Sequence, residues 1–420
     1  VRLMRSWCAL AGVLAVLVVV AAHTSLVPAT ARQALPTASP AWSTAWMTAL
    51  QQPNANQNWS KQGFANQSVR QVIRLSSGGS DVRIRISNQY GVRPLELTGA
   101  TLAKAAKGAA VVPGSVRPVR FGGADSVSIP AGGRVAGDAL TLPGLTSGTQ
   151  LAITLYFANA TGPATFHEFG ATGASYRAAG DQLTDTGGTA YRETSGGWYF
   201  LAGVDVTPTG TGSVVAFGDS ITNGYTAAPG TRYPDLLAAR LAAAGRPTPV
   251  LNAGLGGNRL LTDSACYGEE GLARFHRDVL DQPGTTAAIV LIGINDLGYP
   301  EIAPTACTTP NPAITPAQLI AGYRALIDNA HSRGIRVVGV TLTPFRGASV
   351  YTAHSAQLRT AVNAWITRSG EFDAVADFAH ALADPADPTR LAPKYDSGDH
   401  LHPNEAGYRV MADAVDLKTL

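Results

Sequence analysis

Val82, Ile84 and Ile86 alternate with Arg83 and Arg85, the two-residue period of a strand with one face on a core and the other in water. Leu151, Ile153 and Leu155 repeat the pattern, and Val69 to Leu75 is a looser version of it. Glycine-rich turns such as Ser77-Gly78-Gly79-Ser80 and Gly122-Gly123 punctuate these runs. No helical period appears between Ser68 and Thr207. Short strands with frequent turns predict an all-β, sandwich-like domain over residues 42–208.

From Ser213 the pattern changes. Val214 to Phe217, Val250-Leu251, Ala288 to Ile292, Val337 to Leu342 and Ala374 to Phe378 read as short apolar strands. Between and after them, Tyr233 to Ala244, Pro316 to Arg333, Ala353 to Thr367 and Ala406 to Val415 read as helices. Apolar strands alternating with helices predict an α/β domain over residues 213–420, with a parallel sheet covered on both faces. In such folds ligands sit beyond the carboxyl ends of the strands.

The beginning of the chain follows neither pattern. Arg2 and Arg5 precede an unbroken apolar run from Cys8 to Ala22, and Ala29-Thr30-Ala31 offers a small-x-small cleavage site. Residues 1–31 therefore read as a signal peptide, 32–41 as a leader, and the mature protein as secreted with no stable membrane anchor. A retained anchor is the alternative, but the run is short for a span of about 20 residues. Export changes the reading of Cys266 and Cys307, the two cysteines that then remain. In an oxidising compartment they are expected to pair, closing a loop of about 40 residues for roughly 4 kcal/mol on the chain-entropy model. The net charge of +3, without a block of Lys or Arg, excludes a nucleic-acid partner.

Four polar signatures follow the predicted strands or occupy the last loop. Phe217-Gly218-Asp219-Ser220-Ile221-Thr222 runs from a strand into a serine, which is either an activated nucleophile or a helix N-cap. Asn252-Ala253-Gly254-Leu255-Gly256-Gly257-Asn258 has glycines that let a backbone N–H approach a ligand, or simply turn the chain. In Gly293-Ile294-Asn295-Asp296, Asn295 is suited either to donating to a developing oxyanion or to capping the loop. The last is Asp396-Ser397-Gly398-Asp399-His400-Leu401-His402-Pro403. Its Asp399 and His402 are three apart, so the carboxylate can accept Nδ1–H and leave Nε2 as a base. A metal site would need a further ligand group, and no His-x-x-x-His or Cys/His spacing supplies one, so no metal is expected.

In this order the four blocks, GDSI, NAGLGGN, GIND and DHLH, resemble the SGNH (GDSL-type) hydrolase family from Val214 onward. Ile221 replaces the name-giving leucine. The resemblance implies a three-layer α/β/α sandwich with a flavodoxin-like sheet, and an ester hydrolase that needs no cofactor. It places the nucleophile on Ser220, the acid and base on Asp399 and His402, and oxyanion donors on Ser220, Gly257 and Asn295. Gly256 competes with Gly257, and His400 is a weaker choice of base because it adjoins Asp399. No Gly-x-Ser-x-Gly occurs, against the ordinary α/β-hydrolase elbow.

The expected substrate is a small-molecule or glycan ester, with short acyl groups favoured because no amphipathic lid helix can be read. A lipase or phospholipase is the alternative. A glycan-binding protein with an inert hydrolase-like domain, using Trp59, Tyr90 or Trp198, is the reading from another class. Leu297 to Ile314 is expected to wall the pocket, and the cysteine bridge either ties two loops of the site together or only stabilises them. Arg259 and Tyr225 read as substrate-touching or solvent-facing, Asp219 and Asp296 as loop hydrogen-bonders, and His167 as a surface or satisfied structural residue.

Overall fold

The computed structural model describes residues 42–420, apart from 57, 169–174, 209–211 and 229. The expected signal peptide and leader lie outside the described residues.

The first part of the chain is built on β1 (Ser43–Met47), β2 (Gln67–Arg74), β3 (Gly79–Ser87), β4 (Gly99–Lys104), β5 (Gln150–Phe157), β6 (Ser175–Ala179) and β7 (Leu201–Pro208). One antiparallel sheet runs β1-β7-β3 and ends on Arg134–Ala136, with Leu140–Leu145 also pairing with β3. The second runs from Glu193–Ser195 through β6-β2-β5-β4 to Arg117–Val119. Val82, Ile84 and Ile86 of β3 share one buried core with Val69 and Ile73 of β2 and Leu151, Ile153 and Leu155 of β5.

The alternation in β3 is as read, but its second face is not simply wet. Arg83 Nε and Arg85 Nε stand 3.0 and 3.1 Å from the fully buried Asp205. Arg85 Nη2 also donates across to Gln282 at 2.7 Å, in the following half of the chain. Charged side chains tolerate such cover only when their charge is matched, and Asp205, shared by both guanidiniums, supplies part of that match.

The second part forms one parallel sheet from β8 (Ser213–Gly218), β9 (Val250–Gly254), β10 (Thr285–Leu291), β11 (Arg336–Val340) and β12 (Ala374–Ala376), in the order β9-β8-β10-β11-β12. This is the flavodoxin-like order that the resemblance implied. Ala287 to Leu291 is buried without interruption, as a sheet covered on both faces requires.

Its helices are α1 (Ser220–Asn223), α2 (Tyr233–Ala243), α3 (Gly271–Phe275), α4 (Ile294–Gly298), α5 (Pro316–His331), α6 (Ala353–Arg368), α7 (Phe378–Leu382) and α8 (Glu405–Asp413). α2 packs with α8, and α5 packs with α3 and α6. Capping boxes start α5 (Thr315, Gln318) and α6 (Thr352, Ser355), satisfying donors that a helix start leaves unpaired.

The four long helices fall where the periodicity put them. α1, α3, α4 and α7 are too short to leave a period in the sequence, and helices of that length depend on tertiary support. β9 also runs to Gly254, so part of the glycine-rich block is strand, not loop. The strand order reverses between β9 and β10, on either side of β8, which marks the carboxyl end of β8 as the place for chemistry.

Candidate active site

Ser220 sits where β8 gives way to α1. Asp219 caps that helix, its side chain accepting from Ile221 N–H at 3.0 Å. The capping role that Ser220 could have filled is thus taken by its neighbour, and the Ser220 hydroxyl is free for another partner. Gly218 makes the close approach possible: a Cβ there would lie 2.1 Å from Thr222 Oγ1 and 2.3 Å from Leu291 O.

That partner is His402, whose Nε2 is 2.8 Å from Ser220 Oγ across 182 residues of sequence. His402 Nδ1 is 2.6 Å from Asp399 Oδ2. Asp399 also accepts from the N–H groups of Leu401 and His402 and from Ser397 Oγ. Burial pushes the Asp399 carboxyl up, but the His402 ring and these N–H donors outweigh it and hold the group far below the ordinary carboxylate range. It remains ionised wherever His402 needs a counter-charge. The other imidazole in the loop, His400, does not pair with Asp399; its Nδ1 lies 2.6 Å from Asp396.

The expected oxyanion donors surround the same strand ends. Among the described residues, the N–H groups of Ser220, Gly256 and Gly257 carry no hydrogen bond. Gly257 has φ +69°, and a Cβ there would strike the Tyr267 ring at 2.5 Å, so the position needs glycine for both reasons. Asn295 is buried in α4 and spends one amide hydrogen on Asn258 O, at 2.9 Å. An amide nitrogen carries two donors, so one is left over.

Asp219 and Asp296 make loop hydrogen bonds, as read. Asp296 accepts from Leu260 and Leu261 N–H at 2.7 and 2.9 Å and so fixes the glycine-rich loop against α4. Burial raises both carboxyls, Asp219 to about 7 and Asp296 to about 6. Among the described residues Asp219 Oδ2 has no hydrogen-bond partner, and burial outweighs the Ile221 N–H that favours the charged form.

The first two blocks share a support that the sequence reading missed. Arg274, fully buried on α3, donates to Gly218 O at 2.7 Å, Ala253 O at 2.9 Å and Asn258 Oδ1 at 2.9 Å. Asp278 balances its charge at 3.0 Å. The only signal in the sequence was the Arg274/Asp278 spacing of four, which usually marks a solvent-exposed helix pair.

A second missed support comes from the antiparallel half. His167 is buried, with Nδ1 2.7 Å from Ala49 O and Nε2 3.1 Å from Asn223 Oδ1 at the end of α1. Burial lowers its pKa to about 4. Of the two readings left open for His167, the structure supports the satisfied structural residue.

Arg259 corrects the sequence reading. It is buried, which rules out the solvent-facing alternative, and donates to Pro310 O and Asp263 O at 2.7 and 2.6 Å. It therefore ties the Leu297 to Ile314 stretch to the loop after β9. Cys266 and Cys307 are bonded to each other between the same two segments. Tyr299 stacks on Tyr267, centroids 5.8 Å apart, which brings that stretch up to Gly257. Tyr225 is exposed and lies 4.5 Å, ring to ring, from His402. Trp59 and Trp198 are core residues, so they offer no sugar platform; Tyr90 is partly buried and donates to Leu50 O at 3.3 Å.

Residues 216–410 match the model of the GDSL-like lipase/acylhydrolase family, with Ser220, Asn295, Asp399 and His402 all inside the matched span. The parallel-sheet half is a member of that family. Similar solved structures include an acetyl xylan esterase from Geobacillus stearothermophilus, 21% identical, covering 49% of this chain and 93% of that one with a TM-score of 0.38. A GDSL-like lipase from Bacteroides thetaiotaomicron VPI-5482 is 18% identical, covering 49% and 87%, with a TM-score of 0.37. No curated protein matches the chain. No helix among the described residues is long and apolar enough to cross a membrane.

Proposed function

We propose that this GDSL-like acylhydrolase cleaves carboxylic esters through a Ser220 acyl-enzyme, acting outside the cell on short acyl groups, acetyl foremost, carried by carbohydrates or small alcohols. The observation that carries the reading is the 2.8 Å contact of Ser220 Oγ with His402 Nε2, backed by Asp399 on Nδ1. That is the separation at which an imidazole can take the hydroxyl proton as the oxygen attacks.

His402 removes the Ser220 proton, and Asp399 stabilises the imidazolium that results. Negative charge gathers on the former carbonyl oxygen, where the Ser220 N–H, the Gly257 N–H and the free amide hydrogen of Asn295 receive it. A donor of this kind is worth about 3 kcal/mol of barrier. His402 then protonates the leaving alcohol, and a water molecule, activated by the same imidazole, releases the acid.

Two observations favour short acyl groups and export. Among the described residues the exposed large apolar side chains are Val92, Val112, Tyr225 and Val375, of which only Tyr225 lies at the dyad, too little for an interfacial lipid platform. The Cys266–Cys307 bond suits an oxidising compartment.

The test is hydrolysis of chromogenic esters of increasing chain length, alongside acetate release from acetylated polysaccharides. Activity should be greatest with acetyl, vanish in Ser220→Ala and be blocked by a serine-directed covalent inhibitor. A rate that climbs with chain length and at interfaces would turn the reading to a lipase. Activity that survives Ser220→Ala would end it.

A further inference from the structure

Where the antiparallel half meets the parallel-sheet half there is a cavity of about 260 Å³ that none of Ser220, Asp399 and His402 lines. Four guanidiniums line it: Arg83, Arg85 and Arg134 from the first sheet, and Arg277 from the turn after α3. Such a concentration of one charge in a partly covered cavity is stable only when it is balanced.

The balance here is incomplete. Asp205 takes Arg83 and Arg85, Asp281 takes Arg134 at 3.0 Å, Asp278 takes Arg274 and Arg277, and Glu269 takes Arg277 at 2.7 Å. Counting Arg274, five guanidiniums meet four carboxylates, which leaves one positive charge.

The acceptors are also used up while donors remain. Both oxygens of Asp205 and both of Asp278 already face guanidiniums. By contrast, among the described residues Arg85 Nε is buried without a hydrogen-bond partner, 3.1 Å from Asp205 but not aligned with it. Arg134 gives a single hydrogen bond among the described residues, from Nη2 to Asp281, although a guanidinium carries five donors. Met47, Leu50 and Ile86 supply apolar lining beside these groups.

We infer that this cavity is a binding site for a small monocarboxylate with a short apolar body. One negative charge neutralises the excess, whereas a dianion would overshoot it. A planar carboxylate matches guanidinium donors, and the apolar lining takes the tail. The site is separate from the proposed chemistry at Ser220 and does not depend on it.

Butyrate is the probe, with n-butanol as its uncharged match and sodium chloride at equal ionic strength as the salt control. Calorimetry on the full chain should give saturable binding of one butyrate. Thermal unfolding should shift up by about 2 °C at ten times Kd, and butanol and chloride should do neither.

Arg85→Met should abolish the effect. Arg134→Gln, at a mostly exposed residue, should weaken butyrate at least tenfold while leaving the circular dichroism and the ligand-free Tm unchanged; it keeps the test sound if Arg85→Met does not fold. Equal responses to butyrate and chloride would overturn the inference. So would saturable binding that Arg134→Gln leaves intact, because butyrate would then be seated elsewhere.

Discussion

Two Asp–His pairs occupy one loop. His400 Nδ1 is 2.6 Å from Asp396, and His402 Nδ1 is 2.6 Å from Asp399. By this measure the pairs are equivalent. They differ in what the other ring nitrogen meets and in how wet the ring is: the His402 side chain is 12% exposed and reaches Ser220, whereas that of His400 is 53% exposed and packs over Gly347. The backbone separates them, since His400 adopts φ +64° and turns its side chain off the course of the loop. A carboxylate behind an imidazole is therefore common local chemistry. What singles out a base is a hydroxyl in front of it. His167 extends the series to full burial, with no carboxylate partner among the described residues.

The contrast can be broken experimentally, and the largest effect is expected at His402. His402→Gln should lower kcat on a short-chain ester by at least about 10³-fold, and combining it with Ser220→Ala should cost little more, because the two act as a unit. Additive losses would mean that they act separately.

Asn295→Ala comes next, at about 10²-fold in kcat with an unchanged Tm; unaltered turnover would remove Asn295 from the oxyanion site.

For His167 the readout is stability. Its folded pKa of about 4 lies below the ordinary histidine value, so acid protonates the unfolded chain first. The stability linked to neutral His167, about 3 kcal/mol, should be complete above pH 6.5 and lost as the pH falls towards 4. His167→Gln should flatten that part of the Tm–pH curve.

Asp219 works in the opposite sense. Its carboxyl is raised to about 7, so its contribution is greatest below pH 4 and fades as the pH rises through 7. Asp219→Asn, which keeps the helix cap, should make Tm less sensitive to pH between 4 and 7. The smallest effect belongs to His400→Gln, with kcat within about twofold of the parent; a loss approaching that of His402→Gln would erase the distinction between the two pairs.

How much of this was legible in the sequence depends on whether a residue's partner is near it in the chain or follows a period. The β3 alternation, the apolar strands of the parallel sheet and the Asp399/His402 spacing are local patterns, and they can be read directly. The four blocks, each weak alone, gain force from their order along a fold whose strand ends must converge. Arg274 and Arg259 were not legible, because a charged side chain is presumed to face water. Only the folded chain reveals that carbonyls from distant segments surround each of them. His167 and Asn223 are 56 residues apart with no pattern linking them. The competition between Ser220 and Asp219 for the helix cap likewise turned on a backbone detail that residue preference could not decide.

The hydrogen bond from Arg85 to Gln282 and the contact between His167 and Asn223 bear on any attempt to treat the chain as modular. Grafting the stretch from Ser213 onward onto another scaffold would carry Ser220 and His402 along, but it would leave the far end of α1 without its neighbour and expose a seam built for close cover. A transplant of that kind would have to bring a replacement for the first two sheets.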